Sequence, residues 1–149
     1  MANTGDILLR EQGDFDDVMG TSVWLKGSLV IGDLGKPVKV DPLNDDTVIL
    51  ASADFSAAEP ALGILIAIDD PAVGSCIVRS LGFRGGYPAA TFSRGKRYIV
   101  GRTAGTLVAA DDNLNPDYPL VGTSFKQTIG VAKSDTALMV MTDPTTFEI

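Results

Sequence analysis

Histidine is missing from this chain of 149 residues, and cysteine occurs once, at Cys76. Histidine is the commonest general base and the commonest metal ligand in proteins. A single cysteine excludes a disulfide within one chain, and without histidine it also excludes a Cys/His metal set. The absence of histidine and the single cysteine argue against an enzyme, a bound metal and a cofactor. Cys76 stands in a strand-like run, so we expect a buried structural thiol there.

The chain also lacks a long apolar run. Its longest, residues 61–68, is far shorter than the roughly 18 residues that suggest a membrane span. No basic region followed by an apolar stretch opens the sequence, which predicts a soluble protein without a secretory signal. The net charge of −7 argues against nucleic acid as a partner, because phosphate contacts need positive charge.

Short apolar segments separated by turn residues are what the sequence does contain. Sixteen glycines and eight prolines are scattered among them, a pattern typical of many strands joined by many turns. The predicted fold class is all-β, either a small β-barrel or a β-sandwich, formed by one domain over residues 21–149. Candidate strands cover residues 22–25, 28–31, 37–40, 47–51, 63–68, 75–80, 96–100, 106–110, 127–132 and 137–141.

The two halves of this β region echo each other. Residues 35–40 (GKPVKV) resemble residues 95–100 (GKRYIV), and a short aliphatic run follows each segment. A glycine then interrupts an apolar strand in both halves, at Gly63 and at Gly130, and a closing aliphatic run comes after it. The later spacings drift by several residues. The sequence therefore predicts a loose internal quasi-repeat and not a clean tandem one.

Residues 1–20 differ from the rest of the chain. They hold one apolar patch, Ile7, Leu8 and Leu9, and then an acidic stretch around Phe15. We expect an extended N-terminal arm that packs against something else, such as a neighbouring subunit. A plain first strand of the domain is the alternative. Elsewhere, only residues 54–59 suit a turn or two of helix.

Charge is distributed unevenly along the chain. Six basic residues and no acidic one lie between Asp70 and Asp111, so this segment carries +6 and the remainder carries −13. Such an asymmetry can direct a basic surface towards an acidic partner, including another copy of the same chain. The alternative is a solvated hairpin whose charges are balanced by neighbours in space.

Acidic residues offer the only candidates for acid–base or cation chemistry. Four Asp-Asp pairs occur, but adjacent residues of a strand point to opposite faces, so we interpret these pairs as turn caps. Residues 111–117 alternate Asp and Asn like the start of a calcium loop. Pro116 replaces the glycine that such a loop requires, which favours a polar, proline-stiffened loop over a cation site.

Aromatic side chains are scattered along the sequence. Trp24 lies in a candidate strand and Tyr118 in a candidate loop. Exposed aromatics could form a sugar-binding platform or anchor a protein interface. Packing in the core or in an interface is the favoured interpretation for most of them.

The order of segments in the second half resembles that of the capsid decoration, or cement, proteins of tailed bacteriophages. The resemblance rests on residues 95–100, the glycine-turn strand 105–109, the strand 128–132 (TIGVA) and the last aliphatic strand 138–141. It implies a β-tulip-like fold and a homotrimer on the outer surface of the capsid in the virion. Its partners would be the major capsid protein and other copies of itself.

On this resemblance the protein would be structural, stabilising the phage head by bridging capsid subunits. Expected capsid or subunit contacts are Ile7, Leu8, Leu9, Phe15, Trp24, Arg84, Arg94 and Arg97. The competing hypothesis is a head-fibre or tail adhesin that binds host glycans through the loop 111–119 and an exposed Tyr118. A hydrolase comes third, because it would need carboxylates that converge in a cleft.

Overall fold

The computed structural model describes residues 20–54, 59–69, 74–143 and 147–148. Nearly all regular structure within these ranges is β, and a short 3-10 turn at Ile31–Asp33 is the exception. The strands are β1 (Thr21–Leu25), β2 (Pro37–Val40), β3 (Val48–Leu50), β4 (Ala61–Ile68), β5 (Ser75–Arg79), β6 (Leu81–Arg84), β7 (Arg97–Val100), β8 (Leu107–Ala109), β9 (Phe125–Lys126), β10 (Thr128–Ser134), β11 (Ala137–Met141) and β12 (Phe147–Glu148).

These strands form two antiparallel sheets of five strands each. The first has the order β1-β5-β4-β2-β3 and the second the order β6-β11-β10-β7-β8, while β9 pairs with β12. Strand β4 of the first sheet packs against β10 and β11 of the second. The prediction of an all-β fold is confirmed, and the arrangement is that of a sandwich.

The two sheets repeat one topology. Each strand of the first sheet has a counterpart in the same place of the second, so that β4 corresponds to β10 and β5 to β11. The pairing is irregular at equivalent points: β4 slips against β5 between Leu65 and Ala67, and β10 slips against β11 between Ala132 and Ser134. A second pair of irregularities lies where β4 and β10 meet β2 and β7. The residues that echo each other in sequence therefore occupy equivalent positions.

The glycines of the echoed strands are needed because the neighbouring backbone is very close. A Cβ atom on Gly63 of β4 would collide with the carbonyl oxygen of Arg79 on β5. A Cβ atom on Gly130 of β10 would collide in the same way with the carbonyl oxygen of Met139 on β11. Glycine inside a strand commonly marks such a close approach of two backbones.

The core consists of two clusters that share strand β4. One fills the space between the sheets and includes Ile64, Ile129 and Leu138, all fully buried. The other lies on the opposite side of the first sheet and includes Leu65 and Val78. Because successive side chains of a strand point to opposite faces, Ile64 and Leu65 enter different clusters. This explains why β4 is apolar along its whole length.

The first sheet curls so that its two edge strands meet. The amide of Leu25, at the end of β1, donates to the carbonyl of Asp46, and Leu25 forms an isolated bridge with Thr47 just before β3. The contact is a single bridge and not a ladder, so the sheet is curled and not closed. Its concave side holds the cluster around Leu65.

A buried amide joins the two halves. Gln127 is 1% exposed, and its side chain bonds to both main-chain groups of Ala61 at the start of β4. Oε1 accepts from the Ala61 amide and Nε2 donates to the Ala61 carbonyl, each at 2.7 Å. Nε2 also donates to the carbonyl of Asp143. The side chain thus fixes the entry of β10 against the entry of β4.

Most predicted strands are present, and the exceptions have clear causes. The strand predicted at 28–31 is wrong: Leu29 turns into the core while the chain enters the 3-10 turn. Strand β6 was missed, because Gly82 interrupts its short apolar pattern. The N-terminal arm lies outside the described residues except for Gly20, and the predicted helix at 54–59 lies outside them except for its ends.

Replacing Gly130 tests the close approach of β10 and β11. Gly130→Ala should lower the free energy of unfolding by about 1–3 kcal/mol, because the added methyl group forces the strands apart. Urea denaturation measures the change. Gly85→Ala is the control, since nothing lies within 4 Å of a Cβ atom built there. A loss for Gly130→Ala no larger than for the control would contradict this packing.

Replacing Gln127 tests the junction between the halves. Gln127→Leu keeps most of the volume but leaves the buried amide and carbonyl of Ala61 without these partners. The free energy of unfolding should fall by about 2–6 kcal/mol, at roughly 1–3 kcal/mol for each of the two unsatisfied groups. Urea denaturation again provides the measurement, and a loss under about 0.5 kcal/mol would show that Gln127 does not hold the halves together.

Candidate interaction surface

The outer side of the second sheet carries a continuous apolar patch. The register places Leu81 of β6 opposite Met141 of β11, and Phe83 opposite Met139. Met139 in turn lies opposite Val131 of β10. The alternate residues of these strands point into the core between the sheets. We call these five side chains the outer face.

The outer face is open to solvent among the described residues. Leu81 is 59% exposed, Phe83 48% and Met141 45%, while Met139 and Val131 are half-buried. Single exposed apolar residues are common on proteins, but neighbouring ones that form a patch mark an interaction site or a liability to aggregate. The outer face therefore qualifies as a surface for a protein partner.

The opposite edge of the same sheet is protected by the chain itself. The loop after β8 runs back along that edge, where the amide of Arg102 donates to the carbonyl of Asp117 and the hydroxyl of Tyr118 donates to the carbonyl of Ala110. Ile99 and Val108, on the outer side at this end, are buried. The apolar surface left uncovered is thus confined to the β6 and β11 end.

Two cations border the outer face. The ammonium group of Lys133 lies 4.0 Å from the centroid of the Phe83 ring. Arg97, directly opposite Val131 on β7, is exposed. Neither side chain forms an ion pair with another residue that the structure describes. An apolar patch with unpaired cations at its margin favours a partner that offers both apolar and acidic groups.

The arginines expected to make contacts do not form one cluster. Arg84 points to the inner side of β6 and stacks on Tyr87, with its guanidinium carbon 5.1 Å from the ring centroid. Arg97 points outward three strands away, roughly 14 Å at the usual strand spacing. Arg94 is exposed in the turn before β7. Arg97 alone of the three borders the outer face by its register.

The remaining expected contacts lie elsewhere. Trp24 is half-buried against the core of the first sheet, and its indole N–H donates to the hydroxyl of Ser22 at 2.7 Å. The four apolar arm residues, Ile7, Leu8, Leu9 and Phe15, lie outside the described residues.

Two of the six basic residues in the segment 71–110 are balanced in space. Lys96 pairs with Asp111 at 2.9 Å, and Arg102 pairs with Asp54 at 3.2 Å. The hydrogen bond between Lys96 and Asp111 lowers the pKa of the carboxyl group and raises that of the amine. Local balance thus explains part of the charge asymmetry, while Arg97 keeps its charge available.

Several side chains of the loop 111–117 form hydrogen bonds with other groups of the protein. Asp111 is engaged by Lys96, the hydroxyl of Thr103 donates to Asp117, and the Asn115 side-chain oxygen accepts from the amide of Asp117. Within the described ranges, no three acidic, cysteine or histidine side chains come together as metal ligands. These contacts make the loop a hydrogen-bonded polar turn.

Three aromatic residues, Tyr87, Phe92 and Tyr98, pack together beside a cavity of about 400 Å³ between the halves. Phe92 meets Tyr87 and Tyr98 edge to face, with centroids 4.6 and 4.9 Å apart. The hydroxyl of Tyr87 donates to the carbonyl of Gly35, and burial raises its pKa to about 12. No carboxylate lines this cavity, so its described lining offers no general acid or base of that type.

Tyr118 is not the exposed aromatic that a glycan-binding loop requires. Its ring is half-buried, its hydroxyl is bound to Ala110, and the ammonium group of Lys126 lies 5.2 Å from its centroid. The expectation of an exposed Tyr118 is wrong, because the loop 111–124 uses this side chain to hold itself against β8.

The outer face was not predicted, because strand β6 was not recognised in the sequence. A partial signal was present, because Leu81 and Phe83 alternate with Gly82 and Arg84, while residues 137–141 are apolar at every position. Alternation is typical of a half-buried strand, and a continuous apolar run is typical of a strand that is apolar on both faces.

In comparisons with known proteins, no family model, no curated protein and no solved structure matches this chain. No helix among the described residues has the length and apolar character needed to cross a membrane.

Cys76 provides a test of the cluster around Leu65. The thiol is 2% exposed, as expected of a structural cysteine, and burial raises its pKa from 9.0 to about 11. Between these values the unfolded chain ionises and the folded protein does not. The stability that the neutral thiol contributes is present below pH 9 and is lost as the pH rises towards 11.

Urea denaturation at pH 8 and at pH 10.5 measures this loss. The wild type should lose about 2 kcal/mol more than Cys76→Ala over this range, at about 1.4 kcal/mol for each unit of pKa difference. Tyr87 is retained in both proteins, so its own ionisation cancels. Equal losses in the two proteins would mean that Cys76 is not held in an apolar environment.

Proposed function

We propose that this protein is a structural virion protein that binds the outer surface of a phage capsid lattice and stabilises the head, as a homotrimer. It performs no bond-making or bond-breaking. The observation that supports this proposal best is the outer face, an exposed apolar patch bordered by unpaired cations on a rigid β scaffold. Such a surface suits contact with another protein. The resemblance to decoration proteins supplies the identity of the partner.

The physical role follows from linkage. A protein that binds the mature capsid lattice, and not its disassembled subunits, stabilises that lattice by mass action. A trimer engages several capsid subunits at once, so modest individual contacts combine into tight binding. A scaffold whose halves are joined by Gln127 and by the core cluster between the sheets suits this role, because a rigid body loses little conformational freedom when it binds.

The N-terminal arm is assigned to the shell in this proposal. Its apolar residues Ile7, Leu8, Leu9 and Phe15 would contact the capsid or a neighbouring subunit. The described chain begins at Gly20, whose carbonyl accepts a hydrogen bond from the amide of Ser80 at 2.8 Å. A truncation that starts at Gly20 therefore keeps this contact and leaves β1 supported.

Removing residues 1–19 tests the assignment. The truncated protein should keep its oligomeric state and its thermal stability, but its occupancy on undecorated capsid shells should fall at least tenfold. Co-sedimentation of purified shells with each protein measures occupancy, and Leu114→Ser in the full chain is the control. Equal occupancy of truncated and full-length protein would contradict the role of the arm.

A parallel glycan array separates this function from the adhesin. A decoration protein should bind shells and ignore sugars. Binding to glycans without binding to shells would overturn the proposed function.

A further inference from the structure

The turn between β2 and β3 projects an apolar side chain among acidic ones. Leu43 is 88% exposed, the largest exposure of an apolar side chain in the first half that the structure describes. Asp41, Asp45 and Asp46 surround it in sequence. Asp45 and Asp46 form no ion pair with a described residue. We call residues 41–46 the acidic turn.

The acidic turn is held in one conformation by its own hydrogen bonds. The Asp41 carboxylate accepts from the amide of Leu43 at 2.9 Å and from the side chain of Asn44 at 2.8 Å. The amide of Asp41 donates to the carbonyl of Thr47 at 2.9 Å, which closes the turn at its base. Leu43 is thus presented in a fixed position, and a fixed position lowers the entropy lost on binding.

The equivalent turn of the second half is built differently. Its base is closed by the same bond, from the amide of Gly101 to the carbonyl of Thr106 at 2.9 Å. It carries Arg102, which pairs with Asp54, in place of an apolar tip with unpaired acids. The closing hydrogen bond is common to both halves, whereas the acidic apolar tip occurs only in the turn of the first half.

We infer that the acidic turn of one molecule binds the outer face of a second copy. Leu43 would lie on the apolar patch formed by Leu81, Phe83, Met139 and Met141. Asp45 and Asp46 would approach Lys133 and Arg97 at its margin. The two surfaces match in apolar character and are opposite in charge.

The contact has to join different molecules. Leu43 and Phe83 are both exposed within the same chain, in halves that are fixed to each other through Gln127 and a shared core. Two different patches that bind each other form a head-to-tail contact, and such a contact closes into a ring when the rotation allows it. The number of copies in the ring, three, rests on the proposed function.

Sedimentation velocity of the full-length protein tests the contact. The wild type should sediment as a closed trimer of the 15.6 kDa chain. Leu43→Ser should weaken each contact about tenfold or more, as the loss of a central apolar anchor does. Leu114→Ser is the matched control, because Leu114 is 91% exposed in a second acidic loop whose Asp111 is already bound to Lys96. That variant should leave the trimer intact.

A charge exchange tests the pairing of the two surfaces. Asp45→Lys and Lys133→Glu should each weaken the trimer, and the double variant should recover at least half of the combined loss in association free energy. Both positions are exposed, so the variants should fold, and circular dichroism checks that they do.

Three results would overturn the inference: a monomeric wild type at about 100 µM, a trimer that Leu43→Ser leaves unchanged, or a double variant no better than its worse parent. A trimer formed through this contact that fails to bind shells would leave the inference standing and contradict the proposed function instead. The two ideas can therefore fail separately.

Discussion

Gln127 satisfies, from the second half of the chain, both main-chain polar groups of a residue in the first half. Buried amides and carbonyls without partners are costly, so the amide and carbonyl of Ala61 need the two hydrogen bonds that Gln127 supplies. These hydrogen bonds hold the start of β10 next to the start of β4. The inner faces of the two sheets then meet over Ile64 and Leu138. The outward direction of Phe83 and Met139 follows from the same alignment. The candidate surface is thus a consequence of how the halves are joined.

The duplicated topology separates what the scaffold requires from what the surface adds. Both halves keep a glycine at the close approach of two strands, an irregular pairing after it and a turn closed by the same backbone bond. The side chains on these common elements differ between the halves. One turn carries an exposed leucine and unpaired acids, and its counterpart carries an arginine bound to Asp54. Because the scaffold does not require these side chains, the differences between the two turns are free to serve a binding function.

Much of this fold could be predicted from the sequence, because strand signals are local. The strand predicted at 63–68 is confirmed within β4, and its Ile64 and Leu65 occupy the two clusters. Gly63 and Gly130 interrupt similar apolar runs, and this local similarity predicted that their strands are equivalent. Strand β6 was not recognised in this way, since Gly82 interrupts its short pattern and its support comes from β11, more than fifty residues later.

The candidate surface was harder to predict than the fold. The contact residues expected from charge and apolarity were divided between sheet faces by the register, so that Arg84 turned inward and Arg97 outward. Pairing in space also neutralised Lys96 and Arg102, which a count along the chain could not anticipate. A surface depends on which strands become neighbours, and neighbours are set by long-range pairing and not by local pattern.

The central claim is that this molecule acts on a capsid with its outer face buried against a neighbouring protein chain. An electron cryomicroscopy reconstruction of shells incubated with saturating protein tests it most directly. The account predicts two-sheet density at threefold positions on the outside of the shell, with Phe83 and Met139 covered by a neighbouring chain. Bare shells, or bound protein whose β6–β11 face remains open to solvent, would contradict it.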